Sequence, residues 1–265
     1  MNILEEIIEY KRAEVNRKKI RVGLAELEER HLFSRAVLSL KDFLLDRSGT
    51  GIIGEFKRRS PSKGIINDKV DVIEVTSSYA ENGASCLSVL TDEHYFGGSD
   101  EDLIKARINK IPILRKDFII DEYQIVESRS IGADVILLIA ACLRPNEVKR
   151  LASFARNLGL DVLLELHAEE ELEYICDEAT LIGINNRNLK TFSVDIERSL
   201  RMAEQIPSDK IKIAESGIDS VENILLFREH GFRGFLIGEY FMRQPDPTIA
   251  FAEFVKRLKA KAHEA

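Results

Sequence analysis

Residues Ile52–Ile66 read IIGEFKRRSPSKGII, an apolar run that carries two charges and then opens into a basic segment of small residues. Glu55 and Lys57 stand at alternate positions. Side chains alternate between the two faces of a strand, so a strand places both of them on the same face. A strand that ends in a charge pair and continues into a Ser, Lys and Gly loop is typical of the rim of an anion-binding site.

The same design recurs along the chain, where short apolar β-rich runs alternate with charged helical stretches. The runs lie at 52–56, 85–90, 112–118, 134–140, 161–166, 181–185, 212–216 and 234–238. Predicted helical segments lie near 71–82, 99–109, 121–131, 144–157, 168–176, 195–205, 219–230 and 246–262. Such a series of βα units in about 215 residues favours a closed (β/α)8 TIM barrel, in the α/β class, over an open doubly wound sheet. No GxGxxG motif follows the first run, which argues against a dinucleotide-binding fold.

Helix ends agree with this interpretation. Several predicted helices open on acidic or capping residues, as in the segment Ser99–Asp102. Glycines stand just past predicted helices, where a left-handed cap is expected. These glycines are Gly83, Gly132, Gly159 and Gly231.

Two helical stretches are predicted before the first strand. Residues Asn2–Lys19 have apolar residues at helical spacing, and a second helical stretch covers Gly23–Leu45. No linker rich in Gly, Ser or Pro separates them from the strands. We therefore expect one barrel domain over residues 1–265, with residues 1–48 as a helical extension packed on the barrel and no second catalytic domain.

Composition excludes several classes of protein. The net charge is −7 for 265 residues, which argues against a general nucleic-acid binder. Three scattered cysteines without a CxxC motif argue against disulfides and zinc. His94 and His167 are expected near the barrel mouth without a Cys, His or carboxylate at ligand spacing, so no metal is predicted. The N-terminus is acidic, and no apolar run is long enough to span a membrane, so a cytoplasmic protein without membrane contact is expected.

Charged residues end alternate strands of the predicted barrel. Near their C-terminal ends, the first, third, fifth and seventh runs carry Glu55, Lys116, Glu165 and Glu215. Barrel active sites lie at these strand ends, and alternate strands share one layer of the interior, so the four side chains are expected to converge. A charge in an apolar run such as Val162–Leu166 costs free energy unless it is paired. A purely structural ion network is the alternative explanation.

These residue types suit proton transfer. Carboxylates around a lysine in a partly dry mouth keep it protonated, so it can donate a proton to a carbonyl oxygen. Two carboxylates in different surroundings can have separate pKa values and separate roles. The set favours carbonyl activation followed by proton transfers, without a cofactor.

Two further features point to the substrate. The turns after the last two runs, ESGI at 215–218 and IGEY at 237–240, each carry a glycine where barrels commonly bind phosphate. Each turn alone fits an ordinary tight turn, but both together favour a phosphorylated substrate. Phe96 and Phe118 follow strands at the mouth side, where an aromatic ring of the substrate could pack; core or lid packing is the alternative.

Six segments resemble the indole-3-glycerol-phosphate synthase family, and the resemblance covers nearly the whole chain. The segments are Ile53–Ser62, Val89–Ser99, Leu114–Ile119, Leu164–Glu165, Gly183–Leu189 and Ala214–Ile218. The family converts 1-(2-carboxyphenylamino)-1-deoxyribulose 5-phosphate to indole-3-glycerol phosphate, with release of CO2 and water.

The resemblance implies catalytic roles for the charged residues at the strand ends. Lys116 is expected to be the general acid that protonates the ketone during ring closure, and Glu165 to be the acid–base partner in the later dehydration. Lys57 is expected to face the substrate carboxylate, with service as a second acid as a further role. Glu55 is expected to orient and charge the lysines.

The resemblance also implies positions that contact the substrate. Asn185 and Glu215 are expected to hold hydroxyl or amine groups, and Arg187 is expected near the carboxylate. The residues expected around the phosphate are Ser60, Ser216, Gly217 and Gly238. The residues expected to line the anthranilate pocket are Phe96 and Phe118.

One position departs from a common form of the family, since Glu239 stands where many relatives have Ser. A carboxylate directed at phosphate would repel it. We therefore expect the backbone N–H to face the ligand there, with the Glu239 side chain turned aside.

Two other functions stay open at this point. Another barrel isomerase for a phosphorylated sugar would need a Cys or Asp acid–base pair at strand ends, and none is well placed. A catalytically silent barrel that binds a partner would be expected to have lost the charged mouth residues, which are present here. A small phosphorylated substrate and no obligatory protein partner are predicted, and the oligomeric state is not determined by the sequence.

Overall fold

Eight parallel strands close into a barrel in the computed structural model, which describes residues 3–46, 48–188 and 193–262. Each strand lies beside its neighbour in chain order, and the first strand pairs with both the second and the last. The predicted α/β fold, a (β/α)8 TIM barrel, is confirmed. Asn2 and Leu189, which belong to predicted segments, lie outside the described residues.

The barrel strands fall within or beside the predicted runs. In chain order they are β1 (Ile52–Phe56), β4 (Cys86–Leu90), β5 (Ile113–Lys116), β6 (Val135–Ile139), β7 (Asp161–Leu166), β8 (Leu181–Asn185), β9 (Ile211–Glu215) and β10 (Phe232–Ile237). A short antiparallel hairpin that the sequence did not predict follows β1 and consists of β2 (Arg59–Ser60) and β3 (Gly64–Ile65). The basic loop of the opening segment is therefore a hairpin at the C-terminal mouth.

Helices surround the barrel and precede it. Those before the first strand are α1 (Ile3–Arg21), α2 (Leu24–Glu28) and α3 (Leu40–Leu45). Those after it are α4 (Val72–Glu81), α5 (Glu93–Phe96), α6 (Asp100–Ala106), α7 (Glu122–Ser130), α8 (Pro145–Asn157), α9 (Ile196–Gln205), α10 (Val221–Glu229), α11 (Glu239–Met242) and α12 (Pro247–Ala262). Short 3₁₀ helices span Ala140–Cys142 and Glu169–Tyr174. The four glycines predicted as left-handed caps have φ between +78° and +99°, which confirms that prediction.

Two helix predictions were wrong. The stretch Gly23–Leu45 is not one helix, because irregular backbone separates α2 from α3. Two aspartates at the bottom of the barrel hold this part of the chain: the Leu38 N–H donates to the buried Asp134, and the N–H of Leu40, the first residue of α3, donates to the half-buried Asp161. The stretch 168–176 is a 3₁₀ helix over six residues instead of an α-helix.

The barrel interior is apolar below the mouth. Inward side chains from several strands form one buried cluster, and Leu40 and Leu44 of α3 close its lower end. Burying each such side chain stabilises the fold by about 1.5–3 kcal/mol. The cluster includes Ile53, Leu114, Leu163 and Ile213. This packed floor forces the polar groups of the interior to the C-terminal end.

Asp134 anchors the segment between α2 and α3 to the barrel. Its carboxylate is fully buried and accepts hydrogen bonds from Arg35 (2.6 Å) and from the Ile113 N–H (2.9 Å), and it also contacts Arg107. Removing one partner of a buried pair leaves an uncompensated charge. The assignment of residues 1–48 and the barrel to one domain stays a prediction, but these contacts hold the two together.

Asp134→Ala is expected to lower the free energy of unfolding by about 3–5 kcal/mol, because Arg35 and Arg107 lose their carboxylate. Urea unfolding followed by circular dichroism measures this. Asp209→Ala is the control, because the Asp209 side chain is 74% exposed. Its free energy of unfolding is expected to stay within about 0.5 kcal/mol of the wild-type value. Equal losses in the two variants would contradict the anchoring role.

Candidate active site

Five charged side chains meet at the C-terminal mouth of the barrel, and we call them the mouth cluster: Glu55, Lys57, Lys116, Glu165 and Glu215. The four strand-end residues come from β1, β5, β7 and β9, which are alternate strands of the barrel. The predicted convergence is therefore observed. The chemical roles assigned to these residues stay predictions.

Lys116 is at the centre of the cluster. Its Nζ lies 2.9 Å from Glu165 Oε2 and 2.9 Å from Glu215 Oε2. Burial by itself lowers the pKa of this lysine, but the neighbouring carboxylates outweigh it, and the pKa is raised above its usual value. Lys116 is therefore protonated at neutral pH.

The two carboxylates that contact Lys116 differ in their proton affinity. Burial opposes ionisation of Glu165, but Lys116 and the neighbouring donors outweigh it and lower the pKa of Glu165 well below its usual value. Burial and the adjacent charge of Glu165 raise the pKa of Glu215 to about 8. The site thus holds one ionised and one protonated carboxyl group at neutral pH, as an acid–base site requires.

Glu55 and Lys57 form the other part of the cluster. Lys57 Nζ lies 2.7 Å from Glu55 Oε1, and the hydroxyl of Ser88 lies 3.3 Å from Glu55 Oε2. Glu55 is buried, and it adds to the negative field that keeps Lys116 protonated. The expectation that Glu55 and Lys57 lie on one face is confirmed by this contact.

Besides Lys116, the side chains of Asn185 and His167 lie against Glu165. Asn185 Nδ2 donates to Glu165 Oε1 at 2.9 Å, and the Arg187 N–H donates to Asn185 Oδ1 at 3.0 Å, which fixes the orientation of the amide. His167 Nε2 lies 2.9 Å from the same Glu165 oxygen. His167 thus has a carboxylate neighbour for which the sequence interpretation assigned no role. Strand alternation could have revealed the contact, since His167 follows Glu165 by two residues.

Arg187 and Glu239 pair across the mouth. Arg187 Nη2 lies 2.9 Å from Glu239 Oε2, and Arg187 Nη1 donates to Ser62 of the hairpin at 3.3 Å. Lys63 lies 3.7 Å from the other Glu239 oxygen. Burial opposes ionisation of Glu239, but these cations outweigh it and lower its pKa. The Glu239 carboxylate is thus directed at cations of this chain.

The predicted phosphate positions lie together on the side of β1, β9 and β10. Ser60 and Ser216 line the same cavity as the mouth cluster. Gly217 and Gly238 do not line it directly. Ser216 has φ +66°, a strained conformation that among the described residues is otherwise confined to glycines. An added Cβ at Gly238 would lie 2.5 Å from Glu55 Oε1, so glycine is required for Glu55 to fit.

An apolar wall faces the charged side of the cavity. Phe96 and Phe118 have ring centroids 6.0 Å apart, and both line the cavity, as do Asn185 and Arg187. Helix α1 completes this wall, which sequence reasoning missed. Its contributing side chains are Ile3, Leu4 and Ile7.

Lys11 fixes α1 over the site, and it was also missed. Its side chain is 1% exposed, and its Nζ lies 2.8 Å from Asp92 and 2.9 Å from Asp117. Burial lowers the pKa of this lysine, but the carboxylates outweigh it, so Lys11 stays charged. Lys11 lies on the buried helical stripe of Ile7 and Val15, and a lysine at that spacing is the signal that could have indicated a buried ion pair.

The side chains and helices of the described parts of the chain bear on metal binding and on membrane insertion. Within those parts, no group of three or more His, Cys, Asp or Glu side chains is arranged to hold a metal ion. Their helices include none that is both long and apolar enough to cross a bilayer.

The closed barrel and the mouth cluster define a (β/α)8-barrel protein with an acid–base site. The family model for indole-3-glycerol phosphate synthase matches residues 4–254. A protein of that name from Bacteroides thetaiotaomicron is 49% identical over 97% of this chain and 99% of its own length. One from Polynucleobacter asymbioticus is 43% identical over 95% of this chain and 98% of its own. The chain belongs to the indole-3-glycerol phosphate synthase family.

Solved structures agree on the fold. The tryptophan synthase α subunit from Legionella pneumophila matches 87% of this chain and 100% of its own with a TM-score of 0.63 at 13% identity. A thiamine phosphate pyrophosphorylase from Pyrococcus furiosus matches 79% of this chain and 95% of its own with a TM-score of 0.56 at 15% identity. At these identities the likeness concerns the fold alone.

Glu215→Gln is expected to change how stability depends on pH. In the folded protein Glu215 keeps its proton to about pH 8, whereas in the unfolded chain it ionises near 4.5. Its contribution to stability is therefore complete below the unfolded pKa and is lost as pH rises toward the folded pKa. The variant cannot ionise, so its free energy of unfolding should increase relative to wild type as pH rises through that window.

Urea unfolding of both proteins across that window measures this difference, with the exposed Glu253→Gln as control. A difference that does not vary with pH would show that Glu215 ionises normally in the fold.

Proposed function

We propose that this chain converts 1-(2-carboxyphenylamino)-1-deoxyribulose 5-phosphate to indole-3-glycerol phosphate, with release of CO2 and water, in the cytoplasmic biosynthesis of tryptophan. The observation that carries the proposal is the position of Lys116 Nζ at the barrel mouth, 2.9 Å from Glu165 Oε2 and 2.9 Å from Glu215 Oε2. The match to the family over residues 4–254 supports the substrate.

Ring closure is the first chemical step. The ring carbon that bears the carboxylate attacks the ketone carbon, and the Lys116 ammonium gives its proton to the ketone oxygen. The C–CO2 bond then breaks, its electron pair returns to the ring, and CO2 leaves. The burial of Lys116 supports this role, because a fixed charge in a water-poor site stabilises the developing alkoxide strongly.

Dehydration follows, and Glu165 is the acid–base group. The new hydroxyl leaves as water with a proton from an acid, and the indole double bond forms as a base removes a proton. Glu165 lies against Lys116, so the two groups can exchange roles during the sequence. Lys57, held by Glu55, faces the substrate carboxylate or serves as a second acid.

The remaining positions fit the two ends of the substrate. Phe96 and Phe118 form the apolar wall for the anthranilate ring. The turn at Ser216 and Gly217, together with Ser60 and Gly238, receives the phosphate. The substrate contacts proposed for other side chains are hydroxyl or amine groups for Asn185 and Glu215, and the carboxylate for Arg187.

The isomerase alternative is not favoured by the site. Cys142 follows β6, but burial raises the pKa of its thiol, which keeps it uncharged. Asp117 is held in ion pairs with Lys11 and Arg115 and cannot serve as a free base. A silent barrel is not favoured either, because the mouth cluster is complete.

A steady-state assay tests the proposed function. Purified protein is given the carboxyphenylamino-deoxyribulose phosphate without added metal or nicotinamide, and indole absorbance and fluorescence are followed. Product formation at enzyme-like rates is expected. Binding of the substrate without turnover would favour a silent barrel, and the absence of both would overturn the substrate assignment.

Lys116→Ala is expected to reduce kcat by roughly 10²–10⁴-fold, because the general acid is lost. The same assay measures the loss, and circular dichroism checks that the variant is folded, with Lys116→Gln as a second variant of similar length. Lys110→Ala removes an exposed lysine and should leave kcat unchanged. An unchanged kcat in folded Lys116 variants would overturn the assignment of the general acid.

With inorganic phosphate bound, Glu239 is expected to keep its contact with Arg187 and to stay out of the phosphate's coordination sphere, because the two anions repel each other. A crystal structure of the phosphate complex provides the measurement. Direct contact between phosphate and the Glu239 carboxylate would contradict the expectation.

A further inference from the structure

We propose that His167 is a positioning residue for the reaction: as an imidazolium it holds the Glu165 carboxylate ionised and in place while Lys116 is engaged with the substrate. This role rests on the proposed function, since it concerns the acid–base group of that reaction. It is suggested by a buried histidine that the mechanism above does not otherwise use.

The geometry divides the two oxygens of Glu165 between different partners. Lys116 contacts Oε2, whereas Asn185 and His167 both approach Oε1, each at 2.9 Å. His167 is 8% exposed and lines the cavity that holds the mouth cluster. The carboxylate is therefore held from both edges by two cations when His167 is protonated.

The surroundings of His167 favour the protonated ring. The groups that face it are Glu165 from β7, Glu215 from β9 and Glu171 from the 3₁₀ helix, whose Oε2 lies 4.0 Å from Nδ1. Burial lowers the pKa of His167, but these carboxyl groups outweigh it and raise the pKa above the usual 6.5. The Cys142 thiol, near the same Glu165 and Glu171, adds no charge because burial raises its pKa.

The need for a second cation arises during turnover. In the free protein Lys116 already compensates Glu165, but a general acid must turn its proton toward the substrate carbonyl and then become neutral. From that moment Glu165 would be a buried carboxylate supported by one amide, which is costly. His167 keeps its own charge at Oε1, so Glu165 stays fixed for the dehydration.

Substitutions of His167 distinguish a positioning role in the reaction from a role in packing alone. His167→Leu should lower kcat roughly tenfold or more with little change in KM, because the cationic partner 2.9 Å from Glu165 Oε1 is lost. His167→Gln keeps an N–H donor that cannot titrate, so it should recover much of kcat at neutral pH. The wild-type fall of kcat at alkaline pH, as His167 loses its proton, should be absent from His167→Gln.

A titration that needs no activity accompanies the kinetics. The His167 ring signals in substrate-free protein, followed by NMR, should titrate above 6.5 in wild type and at lower pH in Glu165→Gln. His94, the other mouth histidine, stacks on Tyr10 and gives the matched control His94→Gln, which should leave kcat and its pH profile unchanged.

The outcomes are distinct. The role would be supported if the wild type is active and if the pH profile of kcat changes in the His167 variants but not in His94→Gln. It also requires that His167 titrates at lower pH in Glu165→Gln than in wild type. An active wild type with kcat and profile unchanged in folded His167 variants would overturn this role alone, as would a His167 titration that does not respond to Glu165→Gln. An inactive wild type would overturn the proposed function and this role with it.

Discussion

A buried ammonium group must have carboxylates around it, and much of the described structure follows from that requirement at Lys116. Its counter-ion Glu165 and the carboxyl group of Glu215 come from β7 and β9, and closure of the barrel brings both within 2.9 Å of its Nζ. Fixed ion pairs in a water-poor mouth lower the stability of the fold. They also make catalysis of proton transfer possible, because such transfers need groups of unequal proton affinity held at contact distance. The apolar cluster beneath them provides the rigidity that keeps these distances.

Most of the fold could be predicted from the sequence, because its signals are local. Strands such as DVLLEL at 161–166 and LIGIN at 181–185 are mostly apolar and almost wholly buried, as a parallel strand covered on both faces requires. The segment Gly23–Leu45 was misjudged because its backbone is held by Asp134 and Asp161, and contacts with residues about a hundred positions away override helix propensity.

Some residues of the candidate site could likewise be predicted from the sequence, and others could not. Glu55, Lys116 and Glu215 could be placed together, since charges at the ends of alternate strands share one layer. Lys11 could not, because an amphipathic helix does not reveal which surface it covers, and its counter-ions Asp92 and Asp117 become neighbours of α1 only in the folded chain. The spacing of apolar residues determines which face of a helix or strand is buried, whereas the surface that covers this face is determined by the tertiary structure.

Barrel closure also has a consequence for how the protein is made. The first strand pairs with the last, and Gly238, which follows the last strand, packs against the Glu55 side chain of the first. A nascent chain that ends after β6 contains Glu55 and Lys116 but neither Glu165 nor Glu215, so its lysine has no counter-ions from later strands. The ribosome therefore releases all the strands of this site before the site can exist, and neither half of the chain carries a simpler version of it.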